Sequence, residues 1–201
     1  FQKNRIINSD DSMKGTYLGC QFSNEEIIRY LKHINAPFQN LEDKELFEKL
    51  AQFLDEGKVI GWFNGAMEFG PRALGGRSII GDPRNQEMQS VMNLKIKYRE
   101  SFRPFAPSVL EDDVANQFEM NVKSPYMLLV ANVSEKKQVP MTEEQDSYFG
   151  LKKLNIARSE IPAVTHVDYS ARIQSVNKNT NRRYHEMLTV FKEKYGCPVV
   201  V

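Results

Sequence analysis

"MEFGPRALGGRSIIGDPR", residues 67–84, follows the apolar run "KVIGWF", residues 58–63, and its reading decides the architecture. It holds four glycines, two prolines and three arginines, against two carboxylates, Glu68 and Asp82. "KVIGWF" reads as a buried strand; "SII", short, apolar and closed by Gly81, reads as a second. The glycines invite comparison with a phosphate loop, G-x-x-x-x-G-K-[ST] opening a helix. Gly70 and Gly75 have the spacing, but Gly76 fills the lysine slot and Arg77 the hydroxyl slot. A short apolar run also stands where the helix N-terminus should face the phosphates. The match fails. What survives is a loop whose glycines let backbone N–H groups approach an anion, with Arg72 and Arg77 able to fork onto phosphate oxygens. The competing reading is a strand–turn–strand connection with solvated arginines, and the loop alone favours it.

Working outward, "SNEE" forms a capping box in which Ser23 caps and Glu26 reaches back. It opens a helix with Ile27, Ile28, Leu31 and Ile34 on one apolar face. A second helix fits Leu41 to Glu56, with Leu46, Leu50, Phe53 and Leu54 inward and Gly57 as its stop. Asp82 and Pro83 suit the N-cap and first position of a helix through "NQEMQSVMNLKIK". "FRPFAPSVL" is an extended segment with two prolines, and "YMLLVANV" is the clearest strand. The charged stretch 134–155 reads as a mobile surface insertion. "AVTHVDYSARIQSV" reads as extended structure around a polar turn. A last helix carries Tyr184, Met187, Leu188, Phe191 and Tyr195, stops at Gly196 and Pro198, and gives way to "VVV". Helices interleaved with short apolar strands make an α/β domain.

The 201 residues suffice for one substantial domain with a real core. The 27 basic and 26 acidic residues leave a net charge of +1, which disfavours tracking along a nucleic acid but permits a small phosphorylated ligand. Cys20 and Cys197 form no ligand spacing and read as reduced thiols. No apolar run approaches membrane-spanning length, and a cytoplasmic location is the default expectation. The chain begins at Phe1 and ends in "CPVVV", and reads as a piece of something longer, with residues 1–16 a polar linker or trailing segment.

Two further clusters carry chemistry. "NLKIKYRESFRPFAPS" brings Lys95, Lys97, Arg99 and Arg103 together beside Phe102 and Phe105. On a helix Lys95 and Arg99 share a face while Lys97 points elsewhere. An arginine held among proline and phenylalanine needs a carboxylate or phosphate partner; an internal ion pair with Glu68 or Glu100 is the alternative to a ligand. "THVDYSARIQ" supplies His166, Asp168 and Arg172, with Thr165 and Ser170 nearby. His-x-Asp lacks a third metal ligand, so no metal site is assigned, and a satisfied structural histidine competes with a functional one. No nucleophile elbow, HExxH or paired-cysteine motif occurs, so covalent catalysis has little support.

In this order the blocks "GWFNGAMEFGPRALGGRSIIGDPR", "LKIKYRESFRPFAPSVL", "SPYML", "IPAVTHVDYSARIQSV" and "YGCPVVV" resemble the C-terminal domain of the carbamoyltransferase family, which includes nodulation-type and antibiotic-pathway O-carbamoyltransferases. The resemblance covers residues 17–201. It implies a YrdC-like α/β fold, a twisted mixed sheet with flanking helices, and a larger ATPase-fold domain preceding it. It implies that carbamoyl phosphate and ATP, with Mg²⁺ on the phosphates, yield carbamoyl adenylate for transfer to a hydroxyl. Carried onto this sequence, Lys97, Arg103 and His166 form the catalytic set. Arg72, Arg77, Arg99, Ser108, Asp168 and Arg172 form the substrate- and nucleotide-binding set, with Asp168 orienting His166 or Arg172. Glu68 is better read as holding an arginine than as a base. The chain departs from the family pattern at Ala66, Gly76 and Tyr169–Ser170. The alternative function is a YrdC-like nucleotide- or RNA-binding module without catalysis of its own, against which the near-neutral charge argues for extended RNA.

Overall fold

Val59 to Phe63 carry the β-branched and aromatic side chains of a half-buried strand. A computed structural model, which describes residues 11–201, folds Ile60–Phe63 as β1. β1 pairs antiparallel with β2, Arg77–Ile80, in a register running from Ile60 opposite Ile80 to Phe63 opposite Arg77. The loop of residues 64–76 closes this hairpin. Trp62 of β1 donates its indole N–H to the Gly75 carbonyl at 2.8 Å, pinning the loop to the strand beneath it.

A second sheet runs in the order β4–β5–β3–β6, built from Ser108–Leu110 (β3), Leu129–Asn132 (β4), Ser170–Val176 (β5) and Val199–Val200 (β6). β3 and β5 are parallel, while β4–β5 and β3–β6 are antiparallel, so the sheet is mixed. The α/β class with flanking helices is the one read from the sequence. The helices are α1 (Asn24–His33), α2 (Asp43–Asp55), α3 (Met88–Val91), α4 (Val114–Gln117), α5 (Glu143–Asp146), α6 (Leu151–Leu154) and α7 (Arg182–Tyr195). The core lies where α2 and α7 meet β1 and the mixed sheet. Tyr184, Met187, Leu188 and Phe191 of α7 are buried as their spacing required. Each such side chain contributes about 1.5–3 kcal/mol by leaving water.

Several local expectations shift. On α2 Leu54 is buried and Leu46 and Leu50 pack against the core as read, but Phe47 and Ala51 are buried too, and Phe53 is only half-buried, with the Lys58 ammonium 4.2 Å from its ring. The face is set by α7 and Trp62, whose ring lies 6.5 Å from that of Phe47. The α1 capping box forms, with Glu26 N–H to Ser23 Oγ at 3.2 Å and Ser23 N–H to Glu26 Oε2 at 2.8 Å. Yet α1 buries no residue, and Ile27, Tyr30 and Ile34 of its apolar face stay exposed. Asp82 does not cap a helix. Its two oxygens each take Arg84 Nε at 3.0 Å, and Oδ2 takes Nη2 at 2.6 Å, so the helix begins at Met88. Oδ1 also accepts the Arg84 N–H at 2.9 Å, closing a turn, and Arg84 Nη2 reaches Asp55 at 2.7 Å.

The stretch 134–155 contains α5 and α6. It holds together through a Thr142–Gln145 capping box and a 2.7 Å Lys153–Asp146 ion pair, while Phe149 lies open to solvent. Of the segment read as a linker, residues 1–10 lie outside the described residues. Thr16 accepts the Phe69 N–H at 2.7 Å, and the Asp11 carboxylate takes the Tyr126 hydroxyl. Among the described residues no helix is long and apolar enough to cross a membrane.

Cys20 is exposed, whereas Cys197 is buried, and burial pushes its thiol up to about 11. Ellman's reagent is therefore expected to titrate Cys20 at pH 8 and to reach Cys197 only after denaturation; native reaction of both would contradict this packing. Because the folded thiol holds its proton above its unfolded value of 9.0, its contribution to stability is complete below pH 9 and lost as pH rises towards 11.

Candidate functional site: a cationic cavity between the hairpin loop and the mixed sheet

Arg72, from the loop of residues 64–76, Lys97 and Arg99, from the segment after α3, and Arg172, from β5, line one cavity of about 280 Å³. No acidic side chain lines it. The Arg72 Nε is buried and has no hydrogen-bond partner among the described residues. A buried, unpaired N–H costs about 1–3 kcal/mol, and an anion would recover that cost. Arg172 has a pKa below the ordinary arginine range, first through burial and then through repulsion from Arg72. Arg99 is lowered likewise, by burial first and by Arg103 second. These cations share a cavity lined by no acidic side chain.

The loop that delivers Arg72 is organised by an anion of its own. Glu68 is 4% exposed, and its Oε1 accepts the Leu74 N–H at 2.5 Å and the Gly76 N–H at 2.8 Å. Its Oε2 meets Arg77 Nε at 3.3 Å, and Arg77 Nη2 donates to the Gly70 carbonyl at 2.7 Å. Two N–H groups of the glycine-rich loop thus bind a carboxylate of the same chain. Gly75 is required here: its φ is +97°, and a Cβ would lie 2.4 Å from Tyr184 Cδ1.

Lys97 and Arg99 come from a different device. Met92–Lys97 is π-helical, and Tyr98 ends it in the left-handed region at φ +50°. π-turns widen a helix and recur at functional sites because they re-aim side chains. The Arg99 guanidinium lies 4.7 Å over the Phe105 ring and donates Nε–H to Asn93 Oδ1 at 2.6 Å. On another wall, the Ser108 hydroxyl donates to Gln174 Oε1 at 2.7 Å, and Gln174 Nε2 donates to the Leu74 carbonyl at 2.8 Å. Tyr184, fully buried beside them, has its phenol pushed up by burial.

The cavity unites Arg72, Lys97, Arg99, Ser108 and Arg172 of the expected set. The other four stand elsewhere. Arg77 is tied to Glu68 and the loop carbonyls, so Glu68 holds an arginine, as read, and Arg77 is not the solvated arginine of the competing reading. Arg103 is largely exposed, with only Glu100 at 3.9 Å. His166 lines a neighbouring cavity of about 120 Å³ that shares Pro104 with the first. The hydrogen bonds of Asp168 go to the Ser170 N–H and hydroxyl, at 3.1 and 2.7 Å, and hold its carboxyl below the usual range. It caps the turn in which Tyr169 takes φ +65°, where the sequence reading had it orienting His166 or Arg172. Asn93, Gln174 and Tyr184 went unassigned in the sequence. Gln174 had no mark of its own, because its strand also carries Ser170, Arg172 and Ser175.

The described residues contain no cluster of three His, Cys, Asp or Glu side chains arranged to hold a metal. Residues 51–201 match the family model described as the carbamoyltransferase C-terminus. An uncharacterized protein of Synechocystis sp. is 57% identical over 203 residues, covering 100% of this chain and 33% of that protein. The nodulation protein NolNO of Sinorhizobium fredii is 37% identical, covering 88% of this chain and 23% of its own length. For the nodulation protein NolO of Bradyrhizobium diazoefficiens the identity is 34%, with 95% and 32% covered. The chain thus spans a third or less of the length of these relatives. With that match and those identities, the chain belongs to the carbamoyltransferase family, as its C-terminal part.

Proposed function

We propose that the cationic cavity binds carbamoyl phosphate and the reacting phosphates of ATP, and that carbamoyl adenylate forms there for transfer to a hydroxyl acceptor elsewhere in the full-length protein. The observation that carries this reading is the convergence of Arg72, Lys97, Arg99 and Arg172 on a cavity lined by no acidic side chain, with Arg72 Nε unpartnered among the described residues. Two anionic substrates repel each other, and each charge-assisted contact offsets about 1.5–3 kcal/mol of that repulsion. Ligand pockets usually run to about 300–1,000 Å³, so a cavity of about 280 Å³ suits a small phosphorylated group rather than a whole nucleotide. The adenosine would extend outside it.

Net, carbamoyl phosphate, ATP and one water give carbamoyl adenylate, phosphate and pyrophosphate. The bond that forms joins a carbamate oxygen to the α-phosphorus, and pyrophosphate leaves. No protein nucleophile is needed, and catalysis is positioning plus electrostatics. Arg72 and Arg172, which repel each other across the cavity, would fork onto one phosphate, while Lys97 and Arg99 neutralise the other. The cavity lining offers no acidic side chain as a ligand for Mg²⁺, which would arrive chelated to ATP and spread phosphate charge there.

The test is carbamoyl-phosphate-dependent exchange of labelled pyrophosphate into ATP by the full-length protein. Exchange that requires carbamoyl phosphate and is lost in Lys97→Ala is expected. Tight RNA binding with a steep salt dependence, and no binding of carbamoyl phosphate, would replace this reading with the RNA-binding one.

A further inference from the structure

The geometry points to Asn93 as a positioning residue for the anion cavity: it fixes the backbone of residues 97–103 and aims Arg99, while touching no substrate itself. Asn93 is absent from the cavity lining and is fully buried, the only asparagine among the described residues at 0% exposure. A buried amide has one acceptor oxygen and two donor hydrogens to satisfy. Here all of them go to a single loop. Its Oδ1 accepts Arg99 Nε at 2.6 Å, and its Nδ2 donates to the Ser101 carbonyl at 3.1 Å and the Arg103 carbonyl at 2.8 Å. Its main-chain carbonyl accepts the Arg99 N–H at 3.0 Å. The residue stands at the second position of the π-helical turn, so one side chain ties that turn to the loop leaving it.

These bonds explain a division the sequence did not show. Of two arginines in one short loop, Arg99 is clamped by Asn93 below and Phe105 beside it and lines the cavity. Arg103 contributes only its carbonyl to the clamp, and its side chain points out to solvent near Glu100. Holding a guanidinium before the anion arrives removes ordering cost from binding. An amide is suited to this: a carboxylate at the same place would pair with Arg99 but would repel the carbonyls of residues 101 and 103 and oppose the anion.

The inference rests on the anion-cavity reading, and three measurements on the full-length protein keep the two apart. The first needs no ligand: the Arg99 Nε–H NMR resonance should exchange slowly with water and lose that protection in Asn93→Ala. If it already exchanges as fast as Arg103 Nε–H in the wild type, the clamp does not exist and the proposal falls. Second, calorimetric titration with carbamoyl phosphate, with inorganic pyrophosphate as a second probe, should show Asn93→Ala weakening affinity by about tenfold, the effect of one charge-assisted contact. In an Arg99→Ala background the same substitution should cost less than about threefold, because coupled residues are not additive. Full multiplication of the two losses would mean that Asn93 does not act through Arg99. Third, pyrophosphate exchange should show a raised KM for carbamoyl phosphate with kcat nearly unchanged, partly rescued by Asn93→Gln. A lowered melting temperature with unchanged affinity and KM would reduce Asn93 to a packing role and overturn the proposal. Failure of the wild type to bind either anion would remove the cavity reading, while the exchange measurement still decides the clamp.

Discussion

Arg72→Ala is expected to lower kcat/KM for carbamoyl phosphate about a hundredfold in the full-length protein, while Arg103→Ala lowers it less than threefold. The reasoning starts from the buried Arg72 Nε, which has no partner among the described residues, so its hydrogen-bonding capacity is uncommitted before a ligand arrives. A charged hydrogen bond of about 1.5–3 kcal/mol corresponds to about ten- to hundredfold, and Arg72 reaches the upper end because burial limits screening. Arg103 has a side chain 59% exposed and lies outside the cavity lining. Its charge is screened within about 10 Å at ordinary salt. Removing an unpartnered buried donor should not destabilise the chain, so the melting temperature of Arg72→Ala should match that of the wild type. Steady-state kinetics on both variants decides the matter. A larger loss in Arg103→Ala than in Arg72→Ala would relocate the anion site to the exposed face of the 97–103 loop.

Glu68→Ala should have the largest effect on stability, about 2–4 kcal/mol, because it leaves two buried N–H groups unpaired at about 1–3 kcal/mol each, while Arg77, its side chain 40% exposed, is satisfied by solvent. Its side chain is wholly buried, and deleting it orphans the Leu74 and Gly76 N–H groups. Glu68→Gln retains one acceptor oxygen and should recover part of the loss. Chemical denaturation read by Trp62 fluorescence would measure both, because the indole is bonded to Gly75 in the same loop. A loss below about 1 kcal/mol in Glu68→Ala would show that solvent satisfies the loop as well as the carboxylate does.

The elements were legible wherever one physical rule governed the segment. The α7 face from Tyr184 to Phe191 followed helical spacing because one continuous core, shared with α2 and the mixed sheet, covers it, and Gly57 and Gly196 stopped their helices with φ of +75° and +72°. Misreadings arose where two rules competed locally. Asp82 resembled an N-cap until Arg84, two residues on, offered a fork. The α1 face has an amphipathic pattern, but a pattern cannot say whether anything lies across from it. In the site, the cations of the three blocks were visible as composition, but their sorting was not. Arg72 stands in the loop and Arg77 opens β2, and Glu68 with two loop carbonyls holds Arg77, leaving Arg72 to the cavity. Asn93 was invisible because an asparagine in a charged helical run has no pattern of its own; its importance comes from turning inward at a π-turn.

The internal carboxylate of the hairpin loop also has a consequence for the timing of recognition. A glycine-rich loop that waits for phosphate to satisfy its amides must condense around its ligand, and encounter is slowed by that rearrangement. Here Glu68 already plays the anion, and the loop is set before any substrate diffuses in. Association should then run at a rate set by long-range attraction between cavity and phosphate, falling smoothly with ionic strength, with no slow concentration-independent phase in stopped-flow traces.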